Sequence, residues 1–496
     1  MVFLNKLLKP KFFLPILLGL NLVLHWPYMD MPPVSVHTWR QCNTLAVARN
    51  FYQEDMNILK PRIDRRGSGD GITGMQFPSY EFIVATGYKV LGERHWVARG
   101  ISLLITSLGI LAFFGICLEL FKDPRIASIG AWLFAWSPEL FYHGINALPD
   151  VLALAASVGA FYFYLIWRKT FNTYNFFLSW FLITLAGLTK AQFLLIGAPI
   201  AAMTVMDVVK GDKPWKTVLP LTVYGATSVW LTYLWYSYAA DLIAISGLQD
   251  FAIHAGQSFP ESLSKVGSIL WNTLIVDIPE SLLGYSCFVL LFIGLFGIKK
   301  HRASKWAVPF AFWGIMLLVY YVIEIGQFEF HLYYMLPFLP FFALFATLGA
   351  ARILYGRFKW ILLIVLLAAP VHTALKIIPA RWVNEKAFPL AEFKDQQLLS
   401  ELHNTTPTDA YTIVGNDSSG CILFYYLNKK GSAFSSLNEL LDNSNGPSKL
   451  HQWTEDGAEY LYVNERMILK DERLMPYVDK VLTEVGSFTV IRLKRP

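Results

Sequence analysis

The sequence is poor in charge. Only 16% of its 496 residues are Asp, Glu, Lys or Arg, whereas 55% are hydrophobic. A water-solvated globule of this length needs a larger polar surface, so a soluble protein is excluded. The 42 Lys and Arg residues outnumber the 36 Asp and Glu residues too slightly to indicate a nucleic-acid partner. The composition therefore predicts an integral membrane protein.

Cysteine is also scarce. Cys42, Cys117, Cys287 and Cys421 have neither CxxC spacing nor the spacing of zinc ligands. A zinc site built on cysteine and a disulfide scaffold are therefore both unsupported. A single bond between Cys42 and Cys421 outside the cell stays open as an alternative.

Long apolar runs dominate the chain. A membrane-spanning helix needs about 20 mostly apolar residues, and about eleven segments fit: 12–29, 96–121, 126–142, 148–167, 176–188, 193–209, 218–238, 282–298, 306–325, 332–351 and 360–378. Lysines precede the first run and no small-residue cleavage site follows it, which indicates a retained helix and a cytoplasmic N-terminus. The break between the fifth and sixth runs rests on a short turn at 188–191.

The basic residues cluster in alternate loops, as the positive-inside rule requires. Because the number of predicted spans is odd, the tail lies outside. We therefore predict an α-helical polytopic membrane domain at 1–378, which includes an outer loop at 30–95, and a soluble extracytoplasmic domain at 379–496. In a two-membrane bacterium the chain would lie in the inner membrane with a periplasmic tail.

The outer loop departs from the charge rule. It holds Arg40, Arg49, Lys60, Arg62, Arg65, Arg66, Lys89 and Arg94. Loops longer than about 60 residues escape the rule, so a solvated basic loop and a phosphate site are both open. Apolar spacing predicts amphipathic helices at 39–52 and 80–91, lying at the membrane surface. The turn-rich segment 65–71 predicts a flexible stretch that reaches over a site.

The tail alternates between two kinds of pattern. Strands are predicted at 411–415, 459–463 and 488–493, and helices near Leu423 and at 437–441 and 472–482. This alternation predicts a small α/β domain. The turn at 415–420 carries no Gly-rich nucleotide fingerprint.

Ionisable side chains near the outer ends of spans are candidates for function, because they are costly at a membrane. The candidates are Asp64, Asp70, Asp150, His37, Arg40, Glu139, His143, Lys190, Asp277, Glu280, Glu324, Glu329 and His331. Structural roles compete with each one. Asp150 follows Pro149 as a charge at a helix N-terminus, Lys190 extends to the interface, and Asp64 forms an ion pair with neighbouring arginines.

A carboxylate on the outer face, among arginines and above an apolar membrane domain, suits the transfer of a sugar from a lipid phosphate. An acceptor hydroxyl attacks a sugar that is held by a lipid phosphate. The carboxylate takes the hydroxyl proton, Arg and Lys stabilise the departing phosphate, and the apolar body holds the lipid tail. A lipid-linked donor fits this orientation because nucleotide sugars are not supplied outside the cell.

Six short motifs carry a family resemblance: His37-Thr-Trp-Arg-Gln41, Ala48-Arg-Asn-Phe-Tyr52, Asn57-Ile-Leu-Lys-Pro-Arg-Ile-Asp64, Gly74-Met-Gln-Phe-Pro78, Gly187-Leu-Thr-Lys190 and His331-Leu-Tyr-Tyr-Met-Leu-Pro337. In this order the chain, over about residues 1–350, resembles bacterial family 39 glycosyltransferases of the GT-C superfamily. Relatives of that family include the protein O-mannosyltransferases and the aminoarabinose transferase of lipid A.

The resemblance implies a polyprenyl-phosphate-linked sugar donor, an acceptor on the outer face, inversion at the anomeric carbon and an acidic catalytic residue in the first outer loop. This chain has His37, Thr38 and Asn43 where relatives often carry acids, and Gln76 where they carry Glu. Asp64 is therefore the first candidate for the base, followed by Asp70 and Asp150. The substrate-binding candidates are His37, Arg40, Arg49, Arg62 and Lys190, mainly for phosphate, and His331, Tyr333 and Tyr334 for the donor head group.

Several alternatives stay open. No cofactor is assigned, although a divalent metal at His37, Asp64 and Asp70 remains an option without diagnostic spacing. The acceptor is a lipid, a glycan or a protein. A lipid transporter or flippase is a competing function, but it would place charges at mid-span in repeated halves. A non-catalytic subunit that binds lipid-linked sugar is the third hypothesis.

Overall fold

The computed structural model describes residues 9–211, 218–248, 259–296, 306–328, 331–356, 359–383, 391–444 and 446–495. The chain forms two compact units. Unit 1 comprises Met1–Met31, Arg94–Ser237 and Ile253–Val383, and unit 2 comprises Pro32–Glu93, Tyr238–Ala252 and Asn384–Pro496. The outer loop, which the sequence analysis placed in the membrane domain, thus clusters with the tail in unit 2.

Most of the described chain is helical. In chain order the helices are α1 (Pro10–His25), α2 (Thr38–Gln53), α3 (Ser79–Leu91), α4 (His95–Phe121), α5 (Pro124–Ala135), α6 (Pro138–His143), α7 (Pro149–Thr170), α8 (Thr173–Thr189), α9 (Gly197–Val209), α10 (Val218–Ser246), α11 (Phe259–Trp271), α12 (Gly284–Leu295), α13 (Ala307–Ile323), α14 (Ile325–Phe328), α15 (Leu339–Leu354), α16 (Lys359–His372), α17 (Gln396–Asn404), α18 (Ile422–Leu427), α19 (Leu437–Leu441) and α20 (Lys449–Glu455).

The described residues of the predicted membrane spans are mostly helical, but the helices differ in length. Among the described residues, six helices are long and apolar enough to cross a membrane: His95–Phe121, Pro149–Thr170, Ala191–Val209, Pro260–Leu295, Leu332–Leu354 and Lys359–Trp382. Helices α8 and α13 are apolar but shorter, and the predicted third span is divided into α5 and α6. The structure confirms a polytopic helical membrane protein, and six of the eleven predicted spans meet the length and hydropathy requirement.

Helix α7 positions the candidate site of unit 1. Its start follows from Pro149 at the first helical position and Asp150 in the first turn, and Arg168 and Lys169 lie in its last turn. Proline fits the first turn because its missing N–H has no partner there, and the two charges complement the helix dipole. The helix is buried along much of its length, so both of its ends are held in place.

Unit 2 contains a five-stranded sheet. Its strands are β1 (Tyr411–Gly415), β2 (Lys430–Ala433), β3 (Tyr460–Val463), β4 (Val478–Val485) and β5 (Phe488–Leu493), in the spatial order β2-β1-β3-β5-β4. Strands β2, β1 and β3 run parallel, and β5 pairs antiparallel with both β3 and β4. Its apolar core includes Ile413, Leu440, Leu450, Leu461 and Ile491. The small C-terminal α/β domain is confirmed.

The helix predicted at 472–482 is wrong, because β4 occupies 478–485. Val478, Val481 and Val485 lie at helix-like intervals, but register shifts in the pairing of β4 with β5 account for that spacing. An irregularity of this kind breaks the strict alternation of a strand. Strand β2 was not predicted, since Lys430-Gly-Ser-Ala433 shows neither alternation nor β-branched residues.

The outer loop differs from its prediction in two ways. Helices α2 and α3 form as expected, but α2 is buried on all sides rather than along one apolar face. The segment that begins at Arg65 is not a free flap: Arg66 N and Gly67 N each donate to Gly431 O at 2.9 Å, and Gly431 N donates to Asp64 O at 2.9 Å. The loop therefore adds main-chain pairing to the edge strand β2.

Candidate functional site

Asp150 is the least satisfied carboxylate among the predicted candidates. It is fully buried at the start of α7, and among the described residues neither of its carboxylate oxygens has a hydrogen-bond partner. Lys190 Nζ lies 3.8 Å from Asp150 Oδ1, directly after the end of α8. A buried carboxylate with unused acceptor capacity is costly, and such groups concentrate at functional sites.

Aromatic side chains flank this pair. Lys190 Nζ lies 5.2 Å from the ring centroid of Tyr334, and the main-chain oxygen of Tyr334 accepts a hydrogen bond from Tyr320 Oη at 2.8 Å. The ring of His331 stacks on Tyr333 and Tyr334 at 5.5 and 6.0 Å. The structure therefore brings together five of the candidates in unit 1: Asp150, Lys190, His331, Tyr333 and Tyr334.

A second buried acidic group, Glu139, pairs with a histidine that lies next to Tyr333. Glu139 Oε2 lies 3.0 Å from His143 Nε2, and both side chains are only 1% exposed. Arg381 Nη2 donates to Glu139 Oε1 at 2.9 Å, and the ring of His143 lies 5.7 Å from that of Tyr333. Arg381 was not predicted, because it lies in the segment assigned to the tail.

Asp64 lies in unit 2 in a saturated environment. Arg49 Nη2 donates to its Oδ2 at 2.8 Å and Asn50 Nδ2 to its Oδ1 at 2.9 Å. Arg49 Nη1 also donates to Tyr425 O at 2.9 Å. Burial lowers the pKa of Arg49, but the charges of Asp64, Glu93 and Tyr425 and the hydrogen bond to Asp64 together raise it above its ordinary value. This arrangement is that of a buried structural ion pair, whose acceptor oxygens are already occupied.

Arg40 belongs to a different buried network in unit 2. Its Nη2 donates to Gln76 Oε1 at 3.0 Å, and Gln76 Nε2 donates to Glu81 Oε1 at 3.0 Å. Glu81 is fully buried. The sequence analysis did not identify Glu81. The signal that could have found it is a nearby acid: Gln76 stands where relatives carry Glu, and Glu81 follows five residues later.

Two further arginines of the loop, Arg62 and Arg66, contact Glu54. Arg66 Nη2 lies 3.1 Å and Arg62 Nε 3.6 Å from its carboxylate, which also contacts Lys430. Burial would raise the pKa of Glu54, but the hydrogen bonds from Arg66 and Lys430 hold it below the ordinary value. Arg62 also lies 3.5 Å from Asp55, so its charge is balanced locally.

Asp70 lies in an exposed turn, and His37 lies directly before α2. Asp70 is exposed, and its Oδ1 accepts a hydrogen bond from Ile72 N within the same turn. His37 precedes α2 with a left-handed φ of 56°. No three His, Cys, Asp or Glu side chains of the described chain gather in a way that could hold a metal ion. Glu329 lies outside the described residues.

The cysteines do not form the bond that was left open. Cys42 and Cys421 are both buried and not disulfide-bonded, as are Cys117 and Cys287. Burial raises the pKa of Cys42 well above its ordinary value. Cys421 Sγ instead lies 3.4 Å from Trp39 O, at the start of α2.

The chain matches known proteins of one kind. Residues 76–236 match the model of the family described as dolichyl-phosphate-mannose-protein mannosyltransferase. ArnT from Cupriavidus metallidurans superposes with a TM-score of 0.62 at 13% identity, covering 96% of this chain and 97% of ArnT. The same protein bound to undecaprenyl phosphate gives a TM-score of 0.60. No curated protein sequence matches the chain.

Two larger proteins share the fold. The oligosaccharyltransferase of Archaeoglobus fulgidus gives a TM-score of 0.55 at 12% identity, covering 91% of this chain and 69% of that one. The mycobacterial arabinofuranosyltransferase AftD gives 0.52 at 14% identity, covering 92% and 36%. These matches confirm the resemblance drawn from the sequence motifs: the chain is a multi-pass membrane protein with the fold of the GT-C glycosyltransferase superfamily.

Proposed function

We propose that this chain is a membrane glycosyltransferase that transfers a sugar from a polyprenyl-phosphate-linked donor to an acceptor on the outer face, with inversion. The observation that carries the proposal is the buried carboxylate of Asp150, whose two oxygens lack hydrogen-bond partners among the described residues, 3.8 Å from Lys190. The likeness to ArnT bound to undecaprenyl phosphate supports the donor class.

The roles follow from charge. The Asp150 carboxylate takes the proton of the acceptor hydroxyl, whose oxygen then forms a bond to the anomeric carbon. The bond from that carbon to the donor phosphate breaks, and the polyprenyl phosphate leaves with the electron pair. Lys190 stabilises the negative charge of the leaving group. The Asp150–Lys190 contact of 3.8 Å opens as the sugar enters, because the base and the leaving phosphate lie on opposite sides of the anomeric carbon. Since the displacement is a single step from the side opposite the leaving group, the anomeric configuration inverts.

The position of Asp150 along α7 supports an outer-face reaction. The other end of this helix carries Arg168 and Lys169, and basic residues mark the cytoplasmic ends of spans. Asp150 then lies at the outer end. Tyr333, Tyr334 and His331, which border the Asp150–Lys190 pair, offer stacking surfaces and hydrogen-bonding groups to a sugar.

The test uses purified protein in lipid nanodiscs, a polyprenyl-phosphate donor with a labelled sugar, and envelope acceptors. We expect wild type to release polyprenyl phosphate and to label the acceptor. Asp150→Asn should lower transfer by roughly 10²- to 10⁴-fold, the usual contribution of a general base, while donor binding persists. Asp70→Asn is the matched control, since this carboxylate is exposed and should be dispensable.

Other outcomes contradict the proposal in distinct ways. Full transfer by Asp150→Asn would return Asp64 to first place as the base. Donor binding without transfer by wild type would support a non-catalytic subunit. Movement of the donor across the bilayer without transfer would support a flippase.

A further inference from the structure

A second polar cluster lies at the opposite end of α7. Arg168 is 18 residues from Asp150, about 27 Å along the helix axis. Its Nε donates to Asp207 Oδ2 at 2.6 Å, and its Nη2 contacts Asp207 Oδ1. The guanidinium carbon lies 4.9 Å from the ring centroid of Trp306. The proposed sugar transfer makes no use of this cluster.

A cavity of about 190 Å³ opens beside the ion pair. Its lining is Arg168, Met203, Met206, Asp207, Lys210, Trp306 and Pro309. Asp207 neutralises Arg168, so the exposed Lys210 leaves the cavity with one net positive charge. A single phosphate monoanion matches that charge and can accept hydrogen bonds from both cations.

An apolar groove of about 280 Å³ lies between α9 and α10. Its lining is mainly aliphatic: Ile183, Leu194, Gly197, Ile200, Ala201, Thr204, Val205, Val218, Leu221, Thr222, Tyr224, Gly225, Ser228 and Val229. A narrow space connects this lining to the cavity, because Thr204 and Leu221 border it together with Arg168 and Asp207. A hydrocarbon chain in the groove would therefore place its head group beside the ion pair.

The cavity lies where helices end. Helices α7 and α9 end at Thr170 and Val209, and α10 and α13 begin at Val218 and Ala307. Tryptophan and basic residues at helix ends occupy the level of lipid head groups. Anionic lipids at the cytoplasmic surface attract such basic residues.

We propose that this surface binds an anionic glycerophospholipid of the bilayer, with its phosphate at Lys210 and Arg168 and one acyl chain in the groove between α9 and α10. The occupant is distinct from the sugar donor, whose phosphate belongs at Lys190, near the other end of α7. The net positive charge selects an anionic lipid over a zwitterionic one.

The groove offers a variant that fills it without a clash. A Cβ atom added at Gly225 would meet no other atom within 4 Å, and the same holds for Gly267 in α11, which does not line the groove. Gly225→Leu should therefore abolish retention of the tightly held phospholipid in native mass spectrometry. Gly267→Leu, the same substitution in a different helix, should retain it.

The head-group prediction uses an exposed residue, which keeps the test independent of core packing. Lys210→Gln should lower the preference for phosphatidylglycerol over phosphatidylethanolamine about fivefold, the factor that corresponds to about 1 kcal/mol for one lysine near a membrane surface. Lys169→Gln is the matched control, because Lys169 is an exposed lysine next to Arg168 in the last turn of α7 but does not line the cavity.

A third measurement locates the acyl chain directly. Phosphatidylglycerol with a photoreactive group on one acyl chain should label peptides from α9 and α10 in wild-type protein. Labelling confined to other helices, or unchanged lipid preference in Lys210→Gln, would overturn the proposal. Both results are independent of sugar transfer, so this proposal and the proposed function fail separately.

Discussion

Asp64 and Asp150 are both buried carboxylates near a cation, but their surroundings differ. Arg49 and Asn50 occupy both oxygens of Asp64, whereas Asp150 has Lys190 at 3.8 Å and no hydrogen-bond donor among the described residues. A carboxylate whose two oxygens are both held by neighbouring side chains holds structure and has fewer acceptor sites left for a substrate hydroxyl. An unsaturated one is available for chemistry. The contrast therefore supports a structural role for Asp64 and the proposed role of Asp150 as the base.

The largest expected effect tests the structural half of this contrast. Asp64→Asn should destabilise the protein by about 3–5 kcal/mol, since it leaves the Arg49 guanidinium buried without its counter-charge. Thermal unfolding in detergent micelles measures the loss. Asp150→Asn should cost less stability than Asp64→Asn, because it removes no hydrogen bond and because Lys190, which loses its counter-charge, is 12% exposed.

A double variant sharpens the same point. Asp64→Leu with Arg49→Met replaces both charges by apolar groups, so it should be more stable than Asp64→Leu alone. If the double variant were no more stable than the single one, the Asp64–Arg49 contact would not be the source of the loss.

The next effect tests the catalytic half. Lys190→Gln should lower kcat/KM for the lipid-linked donor roughly 10- to 100-fold, which corresponds to about 1.4–2.7 kcal/mol of lost charge stabilisation. Lys190→Arg should recover part of it. Steady-state transfer assays with varied donor concentration give the values. Unchanged kinetics in Lys190→Gln would mean that its cation–π contact with Tyr334 is structural only.

A smaller effect concerns a buried cation in unit 2. Lys429 Nζ donates to the main-chain oxygens of His403 and Thr406 at 2.7 Å each, and burial lowers its pKa to about 8. Between pH 8 and about 10.5 the unfolded chain binds this proton while the folded chain has released it, so stability rises with pH in that window. Melting temperatures of wild type and Lys429→Met across pH 7–10.5 check this, since the rise should be smaller in the variant. Parallel curves would contradict the buried titration.

The smallest effect concerns Asp70. Its side chain accepts only the local bond from Ile72 N, so Asp70→Asn should change stability by less than about 0.5 kcal/mol. Transfer activity should stay within twofold of wild type. A loss comparable to that of Asp150→Asn would place the exposed turn at the reaction.

Helix ends could be predicted from the sequence where the residues that determine them are neighbours in the chain. The start of α7 was readable because Leu148-Pro149-Asp150 combines a proline with an acidic first turn. The break after α8 was readable at Lys190. The residues around Asp150 could also be predicted, because the Gly187–Lys190 and His331–Pro337 motifs contain Lys190, His331, Tyr333 and Tyr334.

The remainder depended on distant contacts. The sequence around Asp64 does not indicate that Arg49 also donates a hydrogen bond to the main chain of Tyr425, which is 376 residues from Arg49. Whether a carboxylate is saturated is a tertiary property, and for that reason Asp64 preceded Asp150 in the sequence-based order. Strand β2 could not be predicted because it is short and does not alternate between apolar and polar residues. Arg381 could not be predicted because its partner, Glu139, precedes it by 242 residues.

The pairing of the outer loop with strand β2 also bears on how the protein is made. The main chains of Asp64, Arg66 and Gly67 form hydrogen bonds with Gly431. Because Gly431 comes much later in the chain, the loop leaves the ribosome long before strand β2 has been synthesised. Its main-chain groups must stay hydrated, or be held by a chaperone, until the last span has been inserted and the tail has followed. Closing so long a loop makes such contacts slow to form. Assembly of unit 2 is therefore a late event in biogenesis, and a chain truncated before residue 431 would expose an unpaired loop to proteases.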